Sequence, residues 1–188
     1  MGYCKVFHLV LGGSLIGDKM TPEKTQKLFE NYPDIFKQKD LPVTQSLMCF
    51  GFDCSDGWYE LIYTLCENIK NHVEFHNENV DRFKGAEDIP EWAPTEYLSV
   101  QAVQVKEKYG GLRFYLNNYN EYIRGLISMA ESMSYRICEK CGVPGKPNGK
   151  GWIITLCTPC REERKTWFSS FGQPTQLKIP FEEGDKDE

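Results

Sequence analysis

Two Cys-x-x-Cys pairs near the C-terminal end of the sequence constrain the fold more than any other feature. Cys138 and Cys141 form the first pair, Cys157 and Cys160 form the second, and 15 residues separate them. Two tight turns that each present two thiolates can surround one Zn²⁺ ion with four sulfurs. The sequence therefore predicts a Cys4 zinc site, with two disulfides or two incidental pairs as the alternative. Because four thiolates fill the coordination shell of zinc, the predicted ion is structural.

The residues around the cysteines predict how this site is built. A loop rich in Gly, Pro and Lys follows the first pair, residues 152–156 form a short strand, and residues 161–168 form a helix after the second pair. A helix N-terminus favours negative charge, so it suits thiolates. A knuckle, a strand and a helix that carries the second pair follow one another in the treble-clef order.

Apolar periodicity predicts three helices in the preceding residues. The first begins at Thr21 as N-cap with Pro22 in the first turn, and ends near residue 31. The second covers residues 57–76, with Asp56 as its N-cap. The third begins after Asn118 or Asn120, and the residues predicted to form its inner face are Ile123, Leu126, Ile127, Ala130, Met133 and Ile137.

Alternating patterns and glycines predict the strands and loops. Residues 46–53 form a short strand or an extended segment, and residues 77–94 form a surface loop that contains Gly and Pro. Residues 97–106 and 112–116 form an antiparallel hairpin, because two glycines between them allow the positive φ angles of a tight turn. The predicted fold is α+β, with helices packed on a small antiparallel sheet and a C-terminal treble-clef-like Cys4 zinc module.

The distribution of charge divides the chain into segments. Residues 1–135 carry 13 basic and 19 acidic residues, whereas residues 136–165 carry seven basic and three acidic residues. We predict an α+β body over residues 1–135, a zinc module over 136–170 and an acidic, disordered tail over 171–188. The acidic body repels polyanions, and the zinc module tolerates them.

Cysteine usage and hydropathy predict the compartment. The sequence has eight cysteines, no export signal, and no apolar run long enough to span a membrane. These features predict a cytoplasmic protein whose thiols bind metal or stay reduced. Four cysteines outside the two pairs are interpreted as small buried apolar residues: Cys4, Cys49, Cys54 and Cys66.

No catalytic motif is found, so we predict a protein that is not an enzyme. A treble-clef nuclease needs histidine as a general base or metal ligand near the zinc module, and no histidine follows His76. His72 and His76 have metal-ligand spacing on a helix, but no third ligand is evident, so they are interpreted as solvated residues. The sequence also has no Walker-type phosphate loop and no nucleophile elbow.

Two groups of residues are candidates for binding a partner. The hairpin combines cations and aromatic rings that suit a host protein or a small anionic, nucleotide-like ligand, provided that the rings are exposed rather than buried: Lys106, Lys108, Tyr109, Arg113 and Tyr115. The alternative is a nucleic-acid interface on the zinc module, with Trp152 or Trp167 for stacking and these cations for phosphates: Lys140, Lys146, Lys150, Arg161, Arg164 and Lys165.

Four sequence features together resemble a family of uncharacterised zinc-ribbon proteins that bacteriophages and prophages encode. They are YPDIF at 32–36, MCFGFDCSDGWY at 48–59, VKEKYGGLRFY at 105–115 and the two cysteine pairs. The resemblance extends over most of the chain, from about residue 25 to 161. It implies a phage gene product that acts in the bacterial cytoplasm, where such proteins serve host takeover or defeat of immunity. It implies no particular reaction.

Overall fold

The predicted α+β class is confirmed. A computed structural model of the chain describes residues 19–148, 151 and 153–171, with the backbone alone for residues 167–171. The helices and strands of these residues, in chain order, are α1 (Pro22–Asn31), β1 (Phe52–Asp53), α2 (Tyr59–Phe83), β2 (Gln101–Lys108), β3 (Gly111–Asn117), α3 (Glu121–Ser134), β4 (Lys146–Pro147), β5 (Thr155–Leu156) and α4 (Thr158–Phe171). Predictions for Cys4, Lys150, Trp152, the Trp167 side chain and the acidic tail lie outside this description.

The larger sheet has the strand order β1–β2–β3. β2 and β3 form the predicted antiparallel hairpin, in which Lys106 lies opposite Arg113 and Lys108 lies opposite Gly111. The predicted hairpin start at residue 97 is wrong, because β2 begins at Gln101. The predicted extended segment over 46–53 is a 3-10 turn, Leu47–Phe50, followed by the two-residue β1, which pairs in parallel with β2.

Side chains of α3 cover the outer edge of β3. The Leu112 N–H donates to the Ser134 hydroxyl over 2.8 Å, and the Phe114 N–H donates to the Glu131 carboxylate over 3.2 Å. These two backbone groups point away from β2 and would otherwise lack a partner inside the fold. α3 is therefore held along the sheet edge by side-chain hydrogen bonds as well as by apolar packing.

The main apolar core lies between α1, α2 and the inner face of the sheet. Trp58 and Ile62 at the start of α2 are completely buried, as are Phe36 and Val105. The rings of Phe36 and Phe114 pack edge to face, with centroids 6.4 Å apart. Since β3 alternates between buried and accessible residues, Phe114 faces this core and its neighbours face the outer side.

Helix α2 is longer than predicted, because it continues through residues 77–83, which were assigned to a loop. Asn79 and Val80 in this extension are buried. The first helix-breaking residue after residue 76 is Gly85, whose φ of +78° is typical of a residue just beyond a helix C-terminus. The polar composition of the segment was misleading, since polar residues do not by themselves end a helix.

Three side chains on the helices differ from the prediction. Asp56 does not cap α2, which has no side-chain cap; its carboxylate instead accepts from the Thr21 N–H over 2.7 Å, at the start of α1. Met133, predicted on the inner face of α3, is 43% exposed. His72, predicted to be solvated, stacks on Tyr122 with a centroid distance of 4.2 Å.

The cysteine-bearing residues pack closely on the start of α2. The Gly57 N–H donates to the Glu139 carbonyl over 2.7 Å, and the Trp58 indole N–H donates to the Ile137 carbonyl over 3.0 Å. A Cβ atom on Gly57 would lie 2.2 Å from the Cys138 carbonyl oxygen and 2.5 Å from the Gly142 nitrogen. Two backbones meet here with no room for a side chain.

Candidate metal centre

Four cysteine sulfurs converge at one point and are positioned to bind a metal ion. The Sγ atoms of Cys138, Cys141, Cys157 and Cys160 all lie within 4.8 Å of one another. Cys141 Sγ is 3.5 Å from Cys160 Sγ and 3.6 Å from Cys157 Sγ. All four cysteines are free thiols, so the alternative of two disulfides is not what the structure contains.

The spacing of the sulfurs fits a tetrahedral metal ion. With metal–sulfur bonds of about 2.3 Å, the edges of a sulfur tetrahedron are about 3.8 Å long. The two distances from Cys141 are slightly shorter than this edge, and all six sulfur pairs lie within 4.8 Å. The arrangement also brings together soft donors, which favours zinc over magnesium or calcium.

The first pair sits in a turn that we call the cysteine knuckle, residues 138–142. The Gly142 N–H donates to the Cys138 carbonyl over 2.9 Å, and the Cys138 N–H donates to the Val143 carbonyl over 2.8 Å. Gly142 has a φ of +80°, a conformation that costs glycine little and other residues more. A glycine directly after the second cysteine therefore allows the chain to fold back on itself.

The second pair sits where β5 meets α4. Cys157 directly precedes the helix and Cys160 lies in its first turn. The short β4–β5 hairpin comes before this helix, so the order of elements is the predicted treble-clef order. Strand β5 covers only Thr155–Leu156, which is shorter than the predicted strand, and α4 begins earlier than the predicted helix.

Backbone groups and burial act in opposite directions on the thiols. Burial by itself raises the pKa of Cys138, but hydrogen bonds from the backbone N–H groups of Cys157, Cys141 and Lys140 outweigh it and lower the pKa to about 7. For Cys160, burial and the neighbouring thiols raise the pKa. Four thiolates this close repel one another, so all four are stable as anions only with a cation between them.

One of the four cysteine residues is much more accessible than the others. Cys138, Cys157 and Cys160 are 0%, 8% and 9% exposed, whereas Cys141 is exposed. The buried three are packed with Leu156 in a small cluster of their own. Solvent, metal ions and chelators therefore reach the centre from the side of Cys141.

Glu139 lies inside the cysteine knuckle and faces the body. Its carboxylate accepts from the Ser55 N–H over 3.2 Å, and its own N–H donates to the Thr155 carbonyl over 2.9 Å. Burial raises the pKa of Glu139 to about 7, and the hydrogen bond from Ser55 opposes this rise only in part. A carboxyl with this pKa is partly protonated near neutral pH, so its average negative charge beside the thiolates is reduced.

The candidate ligand residues of the hairpin lie on the outer side of the sheet and at its turn. We call this surface the ligand face, and it consists of Lys106, Lys108, Tyr109, Arg113 and Tyr115. Tyr109 is 68% exposed and Tyr115 is 40% exposed. Lys108 lies over the Tyr109 ring at 5.4 Å, and Lys106 lies over the Tyr115 ring at 5.6 Å. These tyrosines are therefore available at the surface, while Phe114 from the same strand belongs to the core.

Arg113 differs from the two lysines because the fold already uses its guanidinium group. Its side chain donates to the Tyr135 hydroxyl over 2.9 Å and to the Leu112 carbonyl over 2.6 Å, and it lies 3.9 Å from the Glu131 carboxylate. In the described part of the chain, neither Lys106 nor Lys108 has a carboxylate within ion-pair distance. The free cationic groups of the ligand face are thus the two lysines.

Four of the six cations proposed for nucleic acid are held by other groups of the protein. They belong to the predicted zinc module, residues 136–170, which we call the metal module. Lys146 is exposed and has no carboxylate within ion-pair distance among the described residues. Lys140 pairs with Glu163 at 2.9 Å, and Lys165 pairs with Glu162 at 2.8 Å. The Arg161 guanidinium donates to the carbonyls of Lys146 and Leu156, over 2.6 and 3.3 Å, and so braces the β4–β5 hairpin. Arg164 lies near the carboxyls of Glu107 and Glu139.

The other cysteines and the histidines that the structure describes form no second site. Cys54 and Cys66 are buried, as predicted, and burial raises the pKa of both thiols; Cys49 is partly accessible. His72 and His76 have ring centroids 6.2 Å apart. The only group of three or more potential metal ligands found among the described residues is the cysteine cluster.

Comparisons with protein-family models, with curated proteins and with solved structures found no match to this chain. No helix among the described residues is long and apolar enough to cross a membrane.

Sequence reasoning missed three residues that connect the site to the body. Gly57, Glu139 and Thr155 make the contacts, and they come from three distant parts of the sequence. A glycine at the start of an apolar helix, between Asp56 and Trp58, was a signal of close backbone contact that the sequence did offer. The hydrogen bonds of Glu139 and Thr155 depend on tertiary structure and left no local pattern.

Proposed function

We propose that this protein is a non-enzymatic, zinc-stabilised binding protein whose ligand face takes a small anionic, nucleotide-like ligand. The observation that carries the proposal is the pairing of two lysines with two exposed tyrosine rings on one hairpin, with no carboxylate to neutralise either lysine in the described residues. A phosphate group needs cations, and a flat base or sugar ring needs aromatic surface. The ligand face offers both.

The proposed metal is zinc, and its proposed role is structural. Four sulfur donors saturate a tetrahedral ion, so no position remains for water or substrate. The cysteine knuckle and the start of α2 are in direct backbone contact at Gly57. The ion would therefore hold the C-terminal module in shape and hold it against the body, and Cys138, Cys141, Cys157 and Cys160 would be its ligands.

A groove beside the ligand face supports a small ligand. It has a volume of about 550 Å³ and lies between the turn at residues 43–47 and the outer side of the sheet. Lys106 and Tyr115 line it together with the polar side chains of Gln45 and Gln104. A site of this size suits a single nucleotide or a comparable phosphorylated compound.

A nucleic-acid interface on the metal module is the weaker alternative. A bound polyanion would have to displace Glu163 from Lys140 and Glu162 from Lys165, and Arg161 is occupied by carbonyl groups. The acidic body adds repulsion over a distance of about one Debye length. The unneutralised lysines on the hairpin favour the ligand face instead.

The resemblance to phage and prophage proteins supports a proposal for where this protein acts and in which process. In that setting the protein would act in the bacterial cytoplasm, in host takeover or in defeat of host immunity. A small nucleotide ligand or a host protein would be its partner there.

Calorimetric titration tests the ligand class. We expect adenosine triphosphate to bind the zinc-loaded protein more tightly than inorganic triphosphate, because only the nucleotide has a ring that can stack on tyrosine. Lys106→Glu should weaken adenosine triphosphate binding at least about tenfold, since a charge-assisted hydrogen bond contributes about 1.5–3 kcal/mol. Lys27→Glu makes the same charge change on α1, away from the hairpin, and should leave binding unchanged.

Three results would redirect the proposal. Equal loss of binding in Lys27→Glu and Lys106→Glu would mean that only net charge matters. Binding of neither compound would reject the nucleotide-like class. Recovery of a discrete bacterial protein from a nuclease-treated lysate would favour a protein partner, whereas recovery that nuclease abolishes would favour nucleic acid.

A further inference from the structure

The turn of the β2–β3 hairpin has a backbone conformation that its first residue does not favour. Lys108 and Gly111 are paired, so Tyr109 and Gly110 form a two-residue loop. Their φ angles are +55° and +79°, which is the pattern of a type I′ turn. Asn, Asp or Gly is usual at the first position, whereas a large L residue there is strained. Tyr109 is nevertheless found there, with its ring in solvent.

Contacts with the metal module hold this turn in place. The Thr155 hydroxyl donates to the Gly110 carbonyl over 2.6 Å. A Cβ atom on Gly110 would lie 2.8 Å from the Ile153 side chain, so the turn packs directly on the residues that lead into β5. Strained conformations persist where the surrounding structure fixes them. Thr155 and Ile153 supply the part of that structure that comes from the metal module, while the Glu107 carboxylate of β2 accepts the Gly110 N–H over 2.5 Å.

Thr155 also connects both cysteine pairs. It lies two residues before Cys157, and its carbonyl accepts the Glu139 N–H over 2.9 Å, between Cys138 and Cys141. Its side chain is completely buried. Thr155 therefore contacts the cysteine knuckle through its backbone carbonyl and the Tyr109–Gly110 turn through its hydroxyl. It is also connected to the second cysteine pair, because only one residue separates it from Cys157.

We propose that Thr155 is a positioning residue through which the metal-loaded module fixes the Tyr109–Gly110 turn. Tyr109 and Lys108 are then correctly placed for an anionic, ring-bearing ligand only while the four cysteines bind their metal. This inference rests on the proposed function for its ligand. The part that concerns the turn does not depend on which ligand binds.

Hydrogen exchange of the full-length, zinc-loaded protein tests the turn directly. Thr155→Val keeps the shape of the side chain and removes the hydroxyl, whereas Thr155→Ser keeps the hydroxyl. We expect the amides of residues 107–112 to exchange about tenfold faster in Thr155→Val, because loss of one buried hydrogen bond favours local opening by about that factor. Thr155→Ser should exchange like the wild type, and both variants should keep one zinc per chain.

Removal of zinc from the wild type by a chelator should accelerate exchange at the same amides. Unchanged exchange there after chelation, or in zinc-loaded Thr155→Val, would overturn the inference. Faster exchange in both Thr155→Val and Thr155→Ser would assign the effect to packing rather than to the hydroxyl and would also overturn it.

Titration with adenosine triphosphate separates this inference from the proposed function. We expect about tenfold weaker binding to Thr155→Val than to Thr155→Ser. Equal binding to the two variants would overturn the inference while the proposed function stands. Absence of binding to the wild type would instead reject the proposed ligand and the ligand half of this inference, and the exchange measurement would still decide whether Thr155 positions the turn.

Discussion

The body and the metal module of this protein are stabilised by different kinds of interaction. The body has a continuous apolar core in which Trp58, Phe36, Ile62 and Val105 are completely buried. The module has a cluster of three cysteines and Leu156, with Ile154 packed against it. A cluster of this size cannot offset the conformational entropy that folding costs. Regular structure in the body follows from burial, whereas in the module it depends on the sulfurs and on what they bind.

Loss of one sulfur should have the largest effect and should separate the two regions. Cys141→Ser should lose stoichiometric zinc, because it removes one of the four thiolate ligands. The effect should be large, since zinc stabilises modules of this type with an apparent binding free energy on the order of 10 kcal/mol. Cys141 is exposed, so the change leaves core packing intact. Metal analysis measures the zinc content, and limited proteolysis measures the unfolding of residues 136–171. Helix α2 should stay folded and resist cleavage.

Cys49→Ser is the matched control for that substitution. Cys49 is partly accessible and lies outside the cysteine cluster, and its thiol donates to the Ser46 carbonyl. This variant should keep its zinc. If Cys141→Ser also keeps one zinc per chain, the metal centre is wrongly assigned.

A cavity in the body should lower the stability of the fold without loss of zinc, which is the opposite of what is expected for Cys141→Ser. Ile62→Ala removes a completely buried side chain and should lower the free energy of unfolding by about 2–5 kcal/mol. Zinc content measured below the unfolding transition should stay at one per chain. Val43→Ala, at an exposed position, should change the free energy of unfolding little. Zinc loss in Ile62→Ala under native conditions would show that the two regions are not stabilised separately.

A methyl group at the contact between the regions should affect both of them. Gly57→Ala places a Cβ atom 2.2 Å from the Cys138 carbonyl oxygen, where backbone must move. We expect a loss of about 1–3 kcal/mol in stability, with faster release of zinc to a chelator. Gly125→Ala is the control: a Cβ atom there meets nothing within 4 Å, and alanine should stabilise α3 by about 0.5–1 kcal/mol. Equal zinc release from both variants would contradict this contact.

The smallest expected effect is a pH dependence confined to the body. The Asn120 amide uses its oxygen to accept the Ile123 N–H, so its nitrogen donates to His72 Nε2 over 2.9 Å, and that nitrogen must be unprotonated. Burial and the nearby His76 lower the pKa of His72 from its ordinary value of 6.5. The contribution of neutral His72 to stability is thus present above about pH 6.5 and is lost as pH falls through the lower, folded-state pKa.

His72→Gln should reduce that loss, since glutamine keeps an acceptor and cannot be protonated. The measurement is the difference in melting temperature between wild type and variant at about pH 7.5 and about pH 5.5. Comparing the two proteins at each pH cancels the loss of zinc that acid causes in both. A difference that does not change with pH would mean that His72 is not protonated in this range.

Local sequence patterns predicted the local features of the fold. Cysteine spacing was sufficient to predict which four sulfurs come together, because each Cys-x-x-Cys turn is a local structure. The glycines at 110 and 111 located the hairpin turn, but the prediction that both take positive φ angles is wrong, because these angles fall on Tyr109 and Gly110 while Gly111 belongs to β3. Pro22 marked the start of α1, although the Thr21 side chain makes no capping hydrogen bond. In each case the physical cause lies within a few residues of its effect.

Features that depend on distant residues were not predictable in this way. The parallel pairing of β1 with β2 joins residues about 50 positions apart and involves a strand too short to show alternation. The exposure of Met133 and the carboxylate of Asp56 at the start of α1 depend on how helices meet. No pattern in the sequence places Thr155 beside Gly110, because that contact arises only when the module docks on the hairpin.

The side chains of Ser134 and Glu131 along β3 restrict how other molecules can associate with the sheet. An uncovered edge strand can recruit a foreign strand, which leads to peptide capture or to stacking of chains into fibrils. Here the N–H groups of Leu112 and Phe114, which such a strand would use, already have acceptors within the same molecule. Association by strand addition at this edge would first have to break those two bonds, so β3 is a poor template for a foreign strand.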